Sequence, residues 1–238
     1  MQLRVGTSGF AYKGWKGPFY PADLADRAML GYYAARLDTV EINNTFYRMP
    51  TARMLAGWGE QVPAGFAFAL KASRRITHQQ RLEGCEDALS HLLQAATALG
   101  DAFGPILFQL PPWLRKDVPR LTAFLALVPA GVRAAFEFRH ASWMDDEVAA
   151  ALRERACALV VSDMEDGPDP AVVPTARFGY LRLRRPGYAH EQLSRWAERI
   201  AAQPWDEAFV YFKHEDDGAG PKLAAALRDA AASLGGKP

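Results

Sequence analysis

Residues 134–143 read AAFEFRHASW. In an extended strand, neighbouring side chains point to opposite faces. Phe136 and Phe138 therefore share one face, and Glu137 and Arg139 share the other. The charged pair comes only at the end of the run, just before His140 and a loop. A strand that is apolar along its length and ionised at its C-terminal tip is the unit from which the fold can be read.

The unit recurs along the chain. Further short apolar runs lie at 3–6, 39–43, 66–71, 106–110, 158–163, 180–183 and 209–213, which with 134–139 makes eight candidate strands. Continuous apolar runs of this length fit parallel strands covered on both faces. Between them, apolar residues recur at helical spacing: Leu30, Tyr33, Ala34 and Leu37; Leu89, Leu92, Leu93 and Ala96; Leu121, Phe124, Leu125 and Val128; Leu193, Trp196, Ala197 and Ile200; Leu223, Leu227 and Ala230. Each stripe covers one helix face and can pack on a sheet. Thr51 and Asp117 stand where N-caps belong, Pro119 lies in a first turn, and Gly100 follows a helix end.

Eight strands alternating with helices predict an α/β protein of one domain, 1–238, folded as a TIM-type (β/α)8 barrel. An open doubly wound sheet is the rival. Its phosphate loop would read GxGxxG after the first strand, where this chain has GTSGF. The link from Asp163 to Tyr180 holds Pro168, Pro170 and Pro174, so the sixth helix is expected to be missing or one short turn. Positions 235–238 are expected to fray.

In a barrel the helices cover the apolar outer face, so the polar partners point inward. The same alternation pairs Glu41 with Asn43, Ala69 with Lys71, Leu107 with Gln109, Val161 with Asp163, Tyr180 with Arg182, and Tyr211 with Lys213. Active sites of this fold gather at the C-terminal ends of the strands. A ring of charge there is either a site or a salt-bridge plug. The reading that the charges fall at one end only favours the site. The basic members, Lys71, Arg139, Arg182 and Lys213, outnumber Glu41, Glu137 and Asp163, which favours a phosphate or carboxylate ligand. Glu41, Glu137, Lys71 and Asp163 are the candidate catalytic groups. Asn43, Tyr47, His78, Gln109, Arg139, His140, Arg182, Lys213, Trp15 and Trp113 are the candidate substrate contacts. Lys71 or Lys213 would polarise an oxyanion, and a Schiff-base role for either is conceivable.

Glu41, Glu137, Asp163 and His140 have the chemistry of metal ligands, but neighbouring lysines and arginines compete for the carboxylates. No HxH, HExxH or CxxC spacing is present. No metal and no cofactor is expected. Four loops carry aromatics. Packing is favoured for Phe19, Tyr20, Phe46 and Trp143. Tyr12, Trp15 and Trp113 stay open between packing and stacking on a ligand.

Composition bounds the partners. The chain is 50% hydrophobic and 23% charged, with 28 Lys plus Arg against 27 Asp plus Glu, a net charge of +1. That balance argues against broad capture of nucleic acid or an anionic membrane. No apolar run is long enough to span a bilayer, and the first residues do not read as a signal peptide. Cys85 and Cys157 fit two small buried hydrophobes in a reducing compartment, so a cytoplasmic setting is expected. Nothing in the sequence sets an oligomeric state.

The strings GTSGFAYKGWKGPFYP, TVEINNTFYRMP, FALKASRRITHQQRL, GPILFQLPP, AAFEFRHASW and YFKHEDDGAG run in order over residues 3–230. Together they resemble the YecE-like family, a domain of unknown function. The resemblance implies a TIM-barrel-like fold and carries no reaction. It falls on Glu41, Asn43, Thr45, Tyr47, Lys71, Thr77, His78, Gln109, Pro111, Glu137, Arg139, His140, Trp143 and Asp163. Many relatives follow strand seven with a histidine, which LRLRRPG lacks here, while Arg182 fits the pattern. After strand eight, KHEDD replaces an asparagine-rich turn.

Three functions follow. The first is a metal-independent enzyme doing acid–base chemistry on a small anion, with Glu41 or Glu137 as acid or base and Arg139 and Arg182 as the clamp. Glycoside hydrolysis by the Glu41–Glu137 pair is a special case. The alternative is a protein that binds or processes nucleotides or single-stranded nucleic acid, motivated by the basic, aromatic rim and weakened by the net charge. The third is a small-molecule sensor.

Overall fold

The computed structural model describes residues 1–163 and 169–235. Nine parallel strands form a nearly closed barrel: β1 (Gln2–Ser8), β2 (Thr39–Ile42), β3 (Ala67–Lys71), β4 (Phe103–Gln109), β5 (Ala134–Glu137), β6 (Ala158–Leu159), β7 (Val161–Ser162), β8 (Phe178–Leu183) and β9 (Glu207–Phe212). Their order is β6-β5-β4-β3-β2-β1-β9-β8-β7. All eight expected strands are present, and the sixth is split in two.

The split has a visible cause. β6 pairs only with β5, and β7 only with β8. The Leu159 amide donates to the Thr175 hydroxyl at 2.8 Å, and that hydroxyl donates to the Cys157 carbonyl at 2.7 Å. One buried side chain thus meets the donor and acceptor that a continuous strand would offer to its neighbour. The chain changes partners at Val160, whose amide still bonds the Phe136 carbonyl at 2.9 Å.

Eight α-helices accompany the strands among the described residues: α1 (Met29–Ala34), α2 (Asn44–Tyr47), α3 (Ala52–Gly59), α4 (Glu86–Ala96), α5 (Val118–Leu127), α6 (Asp146–Glu154), α7 (His190–Ala201) and α8 (Ala219–Gly235). The caps act as the sequence suggests. Thr51 accepts from the Met54 amide at 3.3 Å and Asp117 from the Arg120 amide at 3.0 Å. Gly100 takes φ +55° in the turn after α4. No helix lies in 169–177, as the prolines require. The rest of that link, 164–168, falls outside the described residues, and so do the terminal positions 236–238.

Two apolar layers flank the sheet. Outside, the stripes on α4 and α5 cover Ile106, Phe108, Ala134 and Phe136, while α1, α7 and α8 cover Val5, Val40, Leu181 and Val210. Inside, Ala67, Ala69, Ala135 and Ala158 face Phe178, Tyr180, Phe209 and Tyr211. Small residues on one wall leave room for rings from the other, and the barrel is filled rather than hollow.

The floor departs from expectation. At the N-terminal end of the barrel, Arg4 and Arg133 both pair with Glu207, Arg133 at 2.6 Å. Both guanidinium groups lie over the Phe209 ring, 5.9 and 5.4 Å from its centroid. The reading that charges fall at one end only is corrected: the barrel carries an ionised cluster at each end. Glu207 starts β9 ahead of the candidate strand 209–213, which gave it no direction, while Arg4 lay within the candidate strand 3–6 and its parity went unread.

Candidate active site

Strand parity brings Glu41, Gln109, Glu137 and Arg182 together at the C-terminal mouth. Arg182 is the hub. One terminal nitrogen donates to Glu41 Oε1 at 2.9 Å, and the other to Glu137 Oε2 at 2.6 Å. Glu41 also accepts from Ser8 Oγ at 2.6 Å and Tyr180 OH at 2.7 Å. Glu137 also accepts from Gln109 Nε2 at 2.8 Å. Its second oxygen, Oε1, has no hydrogen-bond donor of good geometry and faces Arg139 Nε at 3.3 Å and Arg184 at 3.8 Å.

These contacts settle the protonation of both carboxylates. Burial pushes each toward the neutral acid, and the guanidinium groups outweigh it. Arg182, Ser8 and Tyr180 hold Glu41 below the usual carboxylate range. Arg182, Arg184 and Arg139 bring Glu137 down to about 2. Burial opposes the charge of Arg182 too, but Glu41 and Glu137 raise its proton affinity further. Of the two roles expected for Glu41 and Glu137, acid or base, the lowered pKa values disfavour the acid and leave the base. Both are ionised near neutrality and engaged by donors, so they position Arg182.

Lys71 differs from them. It ends β3 half-buried, with Nζ 4.3 Å from the centre of the Phe46 ring. Among the described residues no carboxylate forms an ion pair with it. Burial lowers its pKa to about 8, Arg182 and Lys213 add to the effect, and Glu41 and Glu137 oppose it. His78 stands at the same corner, in the π-helical turn Arg75–Gln79, with its ring 5.0 Å from Phe46 and Nδ1 2.9 Å from Thr77 Oγ1. Burial first, then Lys71, Arg74 and Arg139, lowers its pKa, so the imidazole is neutral near pH 7.

The remaining candidates spread around the rim. Lys213 and His214 line a polar cavity of about 670 Å³ with Asp163, Arg184, Glu215 and Asp216. Asp163 accepts from the Arg184 amide at 2.6 Å and from the Tyr188 hydroxyl. Asn43 lines a separate hollow beside Gly9, Tyr12 and Trp58. His140 Nδ1 accepts from the Ser142 amide at 3.1 Å, which caps the turn Ala141–Trp143. Tyr47 and Trp113 stand out from the rim, 74% and 58% exposed. Trp15 does not reach the mouth. It is fully buried against Tyr12, Phe19 and Tyr20, and its indole donates to the Glu215 carbonyl at 2.8 Å.

The four metal-ligand candidates do not converge. Arg182 takes Glu41 and Glu137, Tyr188 takes Asp163, and a turn takes His140. Among the described residues no group of three His, Cys, Asp or Glu is arranged to hold a metal ion. A larger hollow of about 780 Å³, lined by Phe138, Met144, Leu159, Val161, Pro170 and Val173, lies beside α6 and the 169–177 segment, away from the ionised cluster.

Ser8 and Arg184 went unread in the sequence, and Tyr180, though paired there with Arg182, was not among the candidate contacts. Each carries a period-two signal. Ser8 ends β1 opposite Glu41 in register, Tyr180 shares a face with Arg182, and Arg184 lies two residues beyond it.

Parallel strands wound into a cylinder, with ionised side chains at their C-terminal ends, define a TIM-type barrel protein whose candidate site is its mouth. The chain belongs to the DUF72 family: the profile described as "Protein of unknown function DUF72" matches residues 4–237. Among curated proteins it is 31% identical over 109 residues to UPF0759 protein YecE of Escherichia coli (strain K12), covering 45% of this chain and 40% of that one. It is 27% identical over 149 residues to UPF0759 protein YunF of Bacillus subtilis (strain 168), covering 59% and 52%. The chain thus spans about half or less of the curated relatives it matches. A solved DUF72 protein from Thermotoga maritima MSB8 superposes with a TM-score of 0.83 at 25% identity, covering 100% of both chains. One from Enterococcus faecalis V583 gives 0.81 at 18%, covering 97% of this chain and 96% of that one.

Proposed function

We propose that the mouth of this barrel is the active site of an enzyme that acts, without a metal, on a small phosphate- or carboxylate-bearing substrate. The observation that carries this reading is the setting of Lys71: a half-buried amine 4.3 Å from the centre of the Phe46 ring, with no carboxylate ion pair among the described residues, whose pKa is lowered to about 8 by burial and by the charges of Arg182 and Lys213. A structural lysine is normally paired or solvated. One held near neutrality is suited to exchange protons with a ligand. Arg182 presents a guanidinium fixed by two carboxylates, and Arg139 and Lys213 supply further positive charge toward the opening. In this reading Lys71 and His78 share the acid–base work, and the ionised Glu41 and Glu137 hold Arg182 in place.

Isothermal titration with inorganic phosphate, malonate and glyoxylate tests the reading. At least one of these anions is expected to bind, and R139Q to weaken it by about tenfold, the usual loss for one charge-assisted contact. Silence across the panel would sink it.

A second reading, a binder of nucleotides or single-stranded nucleic acid, is favoured by the exposed rings of Tyr47 and Trp113 beside exposed Arg48, Arg74 and Arg115. It calls for oligothymidylate binding that falls steeply with salt.

A further inference from the structure

We infer that Lys71 is an imine-forming nucleophile, and that the substrate taken at the mouth is a small anion carrying an aldehyde or ketone carbon. The inference rests on the anion reading above and gives it a substrate class.

Six of the chain's lysines lie among the described residues. Lys13, Lys213 and Lys222 are exposed. Lys116 is clamped by Asp145 at 2.7 Å and Glu147 at 3.3 Å, and Lys16 by Asp26 at 2.8 Å. Lys71 alone is sunk into the protein with no carboxylate to hold its proton. On one side it has the Phe46 ring, which attracts an ammonium but accepts no proton. On the other are Arg182 from β8 and Lys213 beyond β9, which repel its charge. Glu41 and Glu137 would favour that charge, but Arg182 engages both. The result is an amine whose free-base fraction at neutral pH is about 300-fold that of an ordinary lysine, from the drop of 10.5 to about 8.

An amine nucleophile needs an electrophilic carbon, and a guanidinium beside it needs an anion. A molecule with both fits the corner. The unprotonated Lys71 Nζ adds to the carbonyl carbon, and one of its two protons passes to the carbonyl oxygen to give a neutral carbinolamine. His78 faces the same Phe46 ring; in the tautomer whose Nδ1–H donates to Thr77 Oγ1, Nε2 accepts the second proton from nitrogen and returns it to the hydroxyl. The hydroxyl leaves as water while nitrogen forms the second bond to carbon. The sum is carbonyl plus amine to imine plus water, with no change of oxidation state.

The test is reductive trapping on the full chain. The protein is incubated with glyoxylate or glyceraldehyde 3-phosphate and sodium cyanoborohydride near neutral pH, and the lysines are mapped by mass spectrometry. Lys71 is expected to label at least about 10-fold faster than Lys13 or Lys222, because free-base fraction governs the rate. Excess inorganic phosphate should slow Lys71 and leave Lys222 unchanged. K71R, shown folded by circular dichroism, should lose the fast adduct only. Labelling that simply follows exposure, or a fast adduct that survives in K71R, overturns the inference. If calorimetry records anion binding while Lys71 stays unlabelled, the imine falls and the anion reading stands. If neither is seen, both fall.

Discussion

At the floor of the barrel one carboxylate, Glu207, is shared by two guanidinium groups, Arg4 and Arg133; at the mouth one guanidinium, Arg182, is shared by two carboxylates, Glu41 and Glu137. The side chains at the floor keep 12–35% of their surface in water, and those at the mouth 0–3%. The floor is therefore an ordinary closure whose charges remain solvated. The mouth holds its charges dry, at a desolvation cost that a hydrophobic plug would avoid. What the mouth gains is a guanidinium held by two carboxylates and, among the described residues, a lysine with a ring beside it but no carboxylate ion pair. This difference is the ground for proposing a site at the mouth and only a cap at the floor.

Removing the hub should have the largest effect. R182M removes the guanidinium between two buried carboxylates, leaving Glu41 with hydroxyl donors alone and Glu137 with Gln109 and the more distant Arg139 and Arg184, and urea unfolding at neutral pH is expected to show a loss of about 3–5 kcal/mol. E207Q at the wetter floor should cost only about 1 kcal/mol. Equal losses would erase the contrast.

Acid comes next. Glu137 is held at about 2 against an ordinary value of 4.5. The unfolded chain thus takes up this proton first as pH falls. The stability that ionised Glu137 contributes is complete above pH 4.5 and is lost on descending toward 2, about 3 kcal/mol in all. E137Q should flatten the stability–pH slope in that window. A slope that persists unchanged would assign it to other groups.

Lys71 gives the smallest change, with the opposite sign. Its folded pKa of about 8 lies below the ordinary 10.5, so the charged form disfavours folding at neutral pH, and stability climbs as pH rises between the two values. K71M should stabilise the protein at pH 7 by ~1–2 kcal/mol, after discount for its partial exposure, and should abolish the trapping described above. Chemical denaturation of K71M and wild type side by side reads this directly. A destabilised K71M would make Lys71 a structural residue.

The barrel was legible because its strands are continuous and apolar while its helices are striped, two periods that separate cleanly. The inward set at the mouth was legible because Glu137 and Arg139 alternate with Phe136 and Phe138. What parity cannot give is which charge holds which. Glu41 and Glu137 read as acid and base until Arg182 is seen between them, a contact between residues 45 and 141 positions apart. Trp15 looked like a rim aromatic because a loop residue carries no periodicity to say which way it faces. The helix at 146–154 went unread: its apolar face is only Val148, Ala149 and Leu152, and its clearer signal is the Asp145 cap, which accepts from the Glu147 amide at 2.9 Å.

The splice at Val160 has a mechanical meaning. A cylinder of unbroken staves has a fixed girth, because widening it anywhere tears a ladder. Here each half of one stave is fastened on a single side, and a threonine hydroxyl spans the gap. The joint at Val160 lies close below Asp163 at the rim, where the wall changes hydrogen-bonding partner. The stave that carries Arg182 lies on the unbroken side of that joint: β8 keeps its ladder to β9 along its whole length.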